Sequence, residues 1–168
     1  ILSVFINMKP NVIKIRGVSF KDFGYSLMSL TNFDKKFFNE IIIDENTFEK
    51  FCNEIEDRII EIRKKCLISY DTLIEFNKEN PDRAEPFYFI FCSIDDDFPK
   101  DLEERLLKFL NSESIGKAGI FFYVISLNNR LLGNSYDLKI SINSINRSKS
   151  TTLNLSSNKL DLSHLDKL

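Results

Sequence analysis

Three consecutive carboxylates, Asp95-Asp96-Asp97, follow the apolar run "PFYFIFCSI" (86–94) and precede Phe98-Pro99; no other residues of this chain are better suited to chemistry. Carboxylate oxygens are hard ligands for Mg²⁺, directly or through its water shell, and a second acid beside the first can polarise an attacking water. An apolar strand that ends in such acids has the physical form of a Walker B element. Asp95 then fills the metal-holding place and Asp96 that of the water-polarising acid, where glutamate is more usual. The triplet also has a plainer use, because acids just before a helix satisfy its unpaired amides and its dipole. Asp96, Asp97 and Asp101 would serve a capped helix equally well, and both readings stand on the residues alone.

Other chemistries find less support. No G-x-x-x-x-G-K-[ST] occurs, and the five glycines, Gly17, Gly24, Gly116, Gly119 and Gly133, are scattered. Any phosphate loop serving Asp95 is therefore expected ahead of Ile1. His164 is the only histidine and has no Cys or carboxylate at ligand spacing, which argues against a zinc site or a Ser-His-Asp triad. The 23 basic and 25 acidic residues give a net charge of −2, so the chain as a whole is not drawn to polyanions, and the small clusters "IRKK" and "NRSKS" read as solvated faces.

The elements that must position the acids are legible as an alternation. Residues 1–8 read as the last turns of a helix stopped by Pro10. "NVIKIRGVSF" alternates like a strand, with Gly17 as a bulge, and "FNEIIID" supplies a second strand at 40–44. From Asn46, which has Glu49 three residues on as a start signal, Phe48, Phe51, Cys52, Ile55, Ile59, Ile62 and Cys66 recur at steps of three and four. That spacing predicts a helix of ~20 residues with "EDR…EIRKK" on its charged face. A shorter helix is expected from Ser69 or Asp71 to just before Pro81, followed by the loop "NPDRAEP". Phe87–Ile94 and Gly119–Ser126 read as strands buried on both faces, and Pro99 opens a helix between them that ends near Gly116. Strand, helix, strand in this order predicts a parallel βαβ unit in a three-layer α/β domain, with the acids at the carboxyl rim where ligands bind.

At 168 residues and 43% hydrophobic content the chain can bury one domain core, which leans on sixteen Phe and no Trp. Cys52, Cys66 and Cys92 sit in apolar patterns without paired spacing, so they read as reduced core thiols, which favours a cytoplasmic location. No apolar run approaches the ~20 residues of a membrane span, and no signal peptide is evident. The chain begins at Ile1 rather than Met and is expected to be a piece of a longer protein. The Ser/Asn-rich tail, 146–168, reads as edge strand and loosely held end.

The order of features over 1–145 resembles the ATPase core of the FtsK/SpoIIIE branch of the HerA–FtsK superfamily, which are ring-forming DNA motors of RecA-like fold. "NMKPNVIKIRGVSF" resembles the place where the helix after the phosphate loop runs through a proline into an apolar strand, and "IIIDENTFEKFCNEIEDRIIEIR" a strand and long helix with an acid and an arginine near Glu54 and Arg58. Phe76-Asn77 resembles a "YN" element, Ile94-Asp95-Asp96 the strand ending in "DE", "GKAGIF" a basic segment, and Ser126-Leu127 a "TQ" sensor. The resemblance implies a mainly parallel RecA-like sheet with flanking helices whose phosphate-loop part is missing, and ATP and Mg as cofactors. It also implies Asp95, Asp96 and Ser126 as catalytic residues, Asp95 as metal ligand, and Lys117 near a cofactor-binding arginine's place. The expected partners are the rest of the parent chain, a ring-type homo-oligomer and DNA. Asp96, Phe121, Ser126-Leu127 and Lys117 depart from the family's Glu, His, Thr-Gln and Arg. A degenerate pseudo-ATPase kept as an assembly module is accordingly the alternative, and an unrelated α/β binding domain whose aspartates only cap a helix is a third.

Overall fold

The computed structural model describes residues 12–32, 34–94, 98–126, 138–145 and 150–157. Two compact units divide the chain, Ile1–Asn128 and Asn129–Leu168. In the first, strands β1 (Ile13–Ser19), β2 (Phe38–Ile42), β3 (Phe87–Ile94) and β4 (Ile120–Ser126) form one sheet in the order β2-β1-β3-β4. Every neighbouring pair is parallel. β3 is thus an interior strand, as its long apolar run predicts, and the register shift between Ile15 and Gly17 against β2 is the bulge expected at that glycine.

Successive residues of a strand face opposite sides, so the register assigns each side chain to a face. Arg16, Val18, Tyr88, Ile90, Cys92, Ile94, Ile120, Phe122 and Val124 share one face. Helix α1 (Glu45–Lys65) lies on it, since Arg58 stands over the Tyr88 ring and Glu54 pairs with Arg16. Helix α3 (Lys100–Leu110) lies on it too, with Phe109 stacked on Phe122 and Arg105 bonded to Asn53 and Glu56 of α1. Phe48, Phe51, Cys52, Ile55 and Ile62 of α1 and Leu106 of α3 complete this core.

The other face carries Ile13, Ile15, Phe89, Phe91, Phe121, Tyr123 and Ile125. Leu27 and Leu30 from the 3-10 segment Lys21–Asn32 pack over its β1–β2 half with Ile13, Ile15 and Phe38. Phe87, Phe89 and Phe91 are only half-buried, so β3 seals one face and not both as its continuous apolarity suggests.

Several boundaries moved for identifiable reasons. α1 starts before Asn46 because the Asp44 carboxylate accepts from the Thr47 N–H at 3.0 Å and from the Thr47 hydroxyl at 2.7 Å. These bonds, the hydroxyl's first, hold the Asp44 carboxyl below the usual range. Helix α2 (Leu73–Glu79) follows Thr72 as its cap. The helix expected to run to Gly116 is broken: α3 ends at Asn111, and a separate turn α4 (Glu113–Lys117) restarts from the extended Ser112. Gly119 (φ 73°) then leads into β4, where an added Cβ would lie 2.6 Å from Leu73 and 2.7 Å from Phe87. In the second unit, β5 (Leu138–Ile145) and β6 (Ser150–Ser157) form a two-stranded antiparallel sheet. Residues 138–145, grouped with the first segment on sequence grounds, pair here with the tail.

Candidate functional site

The carboxyl rim of the sheet is built by strands that stop side by side. Ile94 pairs with Ser126 and Ser93 with both Ser19 and Ile125, so the ends of β1, β3 and β4 share one level. Ile94 and Phe98 are each 2% exposed, which pins both sides of the three-residue connection that holds the acids. Asp95, Asp96 and Asp97 themselves lie outside the described residues. Beyond them α3 takes Pro99 as its N-cap residue, with Asp101 and Glu103 in the first turn. Those two acids already complement the α3 dipole. Among the described residues no group of three His, Cys, Asp or Glu is placed to hold a metal. The carboxylates directly after Ile94 are the donor set of the right chemistry for Mg²⁺.

Lys117 is not brought to that rim. It closes α4, just ahead of β4, and Ser126 ends β4 some ~20 Å away along the strand. Lys117 is exposed there and lines an open cleft of ≈ 400 Å³ with Arg63, Leu67, Ile68, Tyr70 and Ser114. Any nucleotide at the end of β3 is out of its reach within one copy.

The same amino rim holds a polar cluster that the sequence reading assigned to a solvated face. Arg58 is 9% exposed and lies on the apolar stripe of α1, between Ile55 and Ile62. Its Nη1 donates to Glu85 at 3.0 Å and to Glu61 at 3.2 Å, and its Nη2 to the Pro86 carbonyl at 3.3 Å. The Tyr88 ring lies under the guanidinium at 5.4 Å, while Nε is buried without a partner. Lys65 bonds the other Glu85 oxygen. Asn77 clasps the Glu85 backbone from both sides, donating to its carbonyl at 2.8 Å and accepting from its N–H at 2.9 Å. Burial pushes the Glu85 carboxyl up, but the hydrogen bonds and charges of Lys65 and Arg58 outweigh it and hold the group below the usual range. A guanidinium is suited to this place because its planar fork serves three acceptors and a ring at once. The available signal was an arginine at i+3 from Ile55 and i−4 from Ile62, on the stripe rather than opposite it.

The three thiols are buried and free. Burial raises all three, Cys52 to about 11. They are core residues as expected, without the thiolate that reactivity needs.

No family model and no curated protein matches the chain. Solved structures do. The cytoplasmic domain of the Thermomonospora curvata type VII secretion ATPase EccC superposes with a TM-score of 0.58 at 16% identity, over 83% of this chain and 18% of that one. The cytoplasmic domain of EssC gives 0.56 at 17%, over 95% of this chain and 37% of that one. The fold is shared with a secretion ATPase. This chain spans well under half of either protein, and at such identities the likeness is one of fold.

Proposed function

We propose that this chain is the distal part of an FtsK/SpoIIIE-like, RecA-fold nucleotide-binding domain within a larger translocase-type or DNA-handling protein. The observation that carries the reading is the end of β3. It is an interior strand of an all-parallel sheet, and its last residue is buried beside the end of β4. The acids that follow precede a helix whose N-cap position is held by Pro99, with Asp101 and Glu103 in its first turn. Open parallel sheets hold ligands at the carboxyl ends of their strands, and that general rule supports the reading.

Asp95 would hold Mg²⁺, and the ion would supply charge neutralisation at the nucleotide phosphates. Asp96 would orient a water, and Ser126, whose backbone pairs with Ile94 at the end of β3, would take the sensor's part. Lys117, on the opposite rim, would meet a nucleotide only across a boundary between copies, as in a ring. A phosphate loop must come from elsewhere in the parent polypeptide. The test is Mg-ATP hydrolysis by the full-length parent protein. Hydrolysis that falls at least ~100-fold in Asp95→Ala supports the reading, since a metal ligand and its transition-state charge are removed together. Hydrolysis unchanged in Asp95→Ala overturns it.

A second reading, an assembly module of the same fold without hydrolysis, is favoured by Ser126-Leu127 where the resemblance expects Thr-Gln and by the distance of Lys117 from the ends of β3 and β4. It predicts no Mg-ATP hydrolysis by the parent protein under conditions in which it assembles.

A further inference from the structure

Two clefts lie side by side at the amino rim, and cations line both. The first, of ≈ 400 Å³, is the one that Lys117 lines with Arg63, Leu67, Ile68, Tyr70 and Asp71. The second, of the same volume, is lined by Lys65, Phe76, Asn80, Arg83 and Glu85. Tyr70 and Asn80 join them: Asn80 Nδ2 donates to the Tyr70 hydroxyl at 3.2 Å, and the Phe76 ring meets the Tyr70 ring edge-on at 5.5 Å. The rim therefore carries one groove in two halves, with that contact as its waist.

Charge and apolar surface are both left over in the groove. Elsewhere on α1 the charges that meet the rest of the unit are matched: Glu54 by Arg16, Glu56 by Arg105, and Arg58 and Lys65 by Glu85. Arg63, Arg83 and Lys117 are exposed and make no ion pair among the described residues. Glu85 is turned inward to Arg58, with its side chain 13% exposed, so Asp71 is the one exposed acid in the lining. Beside the cations Ile68 is 81% exposed, more than any other large apolar residue described, and Leu67 next to it is half-buried. An isolated exposed isoleucine is ordinary surface; one that shares a groove with three unmatched cations has the composition of a recognition surface.

Shape and sign select the occupant. A small-molecule site encloses roughly 70–90% of its ligand, whereas both clefts are open to solvent, which suits a chain lying along them. Asp71 repels a doubly charged phosphate more than it repels single carboxylates, which can be spaced along a chain to meet one cation each. We propose that the amino-rim groove binds an extended acidic segment of a partner protein in which carboxylates are interspersed with large aliphatic side chains. Its carboxylates meet Arg63 and Lys117 in one cleft and Arg83 in the other, and an aliphatic side chain packs on Leu67 and Ile68. The charges set specificity and the rate of encounter, and the aliphatic contact supplies affinity. The groove lies at the rim opposite the end of β3, so the inference does not depend on nucleotide binding.

The experiment is fluorescence anisotropy on the full-length parent protein, with a fluorescein-labelled peptide of three Glu-Glu-Leu repeats as the probe and its Gln-Gln-Leu and Glu-Glu-Ser counterparts beside it. The Glu-Glu-Leu probe is expected to bind at least ~10-fold tighter than either counterpart. Arg63→Ala combined with Arg83→Ala, one change in each cleft, should weaken binding ~10-fold, as the loss of two exposed ion pairs implies, and Ile68→Ser about as much. All three side chains are exposed, so the thermal midpoint should stay where it is, which separates a lost contact from a folding defect. With p-benzoylphenylalanine in place of Ile68, the crosslink should form to the probe. No binding at millimolar probe, equal binding of the Gln-Gln-Leu peptide, or an affinity unchanged in the double variant overturns the proposal. So does displacement of the probe by an equal concentration of inorganic phosphate, which would make the groove a small-anion site, or a crosslink to residues 1–11 of the same chain, which would make it an internal contact. Asp95→Ala is expected to leave the affinity for the probe unchanged whatever it does to hydrolysis, so the two readings fail separately.

Discussion

On the helix-bearing face of the sheet, Phe48 is fully buried among Phe20, Phe51 and Phe98, with ring centroids 5.8 to 6.0 Å away. On the ring-bearing face, Tyr123 and Ile125 are in water although their neighbours are equally aromatic. Composition does not separate the two faces; cover does. α1 and α3 bring a second apolar surface to one, while among the described residues the 3-10 segment packs over β1 and β2 and against Phe89 and Phe91 of β3 on the other. The stability of the unit should accordingly be concentrated on one side.

The largest effect is expected where that cover is complete. Phe48→Ala should destabilise the chain by about 3–5 kcal/mol in denaturant unfolding, because the surrounding rings cannot collapse into the cavity. A cost below about 1 kcal/mol would mean that the helix-bearing face is no better packed than the other.

Next comes the polar lock at the amino rim of the same face. Arg58→Ala should cost about 3 kcal/mol, since the largely buried Glu85 would be left with only Lys65 as charge partner. Arg58→Lys should recover only part of this, because one ammonium cannot serve Glu85, Glu61 and the Pro86 carbonyl together. If both variants matched wild type, the cluster would be decoration rather than a lock.

The same cluster predicts a pH dependence. The unfolded chain binds the Glu85 proton near the ordinary 4.5, while the folded chain holds it off to lower pH. Between those values unfolding takes up a proton. The stabilisation is therefore complete above about 4.5 and is lost as pH falls through the folded value. Glu85→Gln should flatten this part of a stability–pH curve and lower the plateau at neutral pH. An unchanged acid limb would place the pH sensitivity elsewhere.

How far these features could be read in the sequence follows from how local their causes are. The strands, the long helix, the bulge at Gly17 and the parallel order were legible because periodicity, proline stops and the length of the β3–β4 crossover are local properties. The Asp44 cap was missed for Asn46, which offered a competing start signal two residues on. Arg58 is hard to read in the sequence because its charge points to solvent while its place on the apolar stripe points inward, and its partner Glu85 lies 27 residues away. The single-sided burial of β3 was illegible in principle, since an apolar run does not reveal which face a distant segment covers. For the candidate site, the rim was readable from strand order, whereas the separation of Lys117 from Ser126 required knowing that α4 precedes β4 at the opposite rim.

The smallest effect sharpens the comparison most. Ile125→Ser removes a large apolar side chain from the ring-bearing face, and in the Ile1–Leu168 chain, where it is 56% exposed, it should change stability by less than about 0.5 kcal/mol. A cost of about 1.5 kcal/mol or more would mean that the position is core rather than surface. The two faces would then differ only in which part of the polypeptide supplies the cover. The small cost expected would mean that the asymmetry belongs to the fold itself, and that the aromatic ladder of β3 and β4 is a surface rather than an interior.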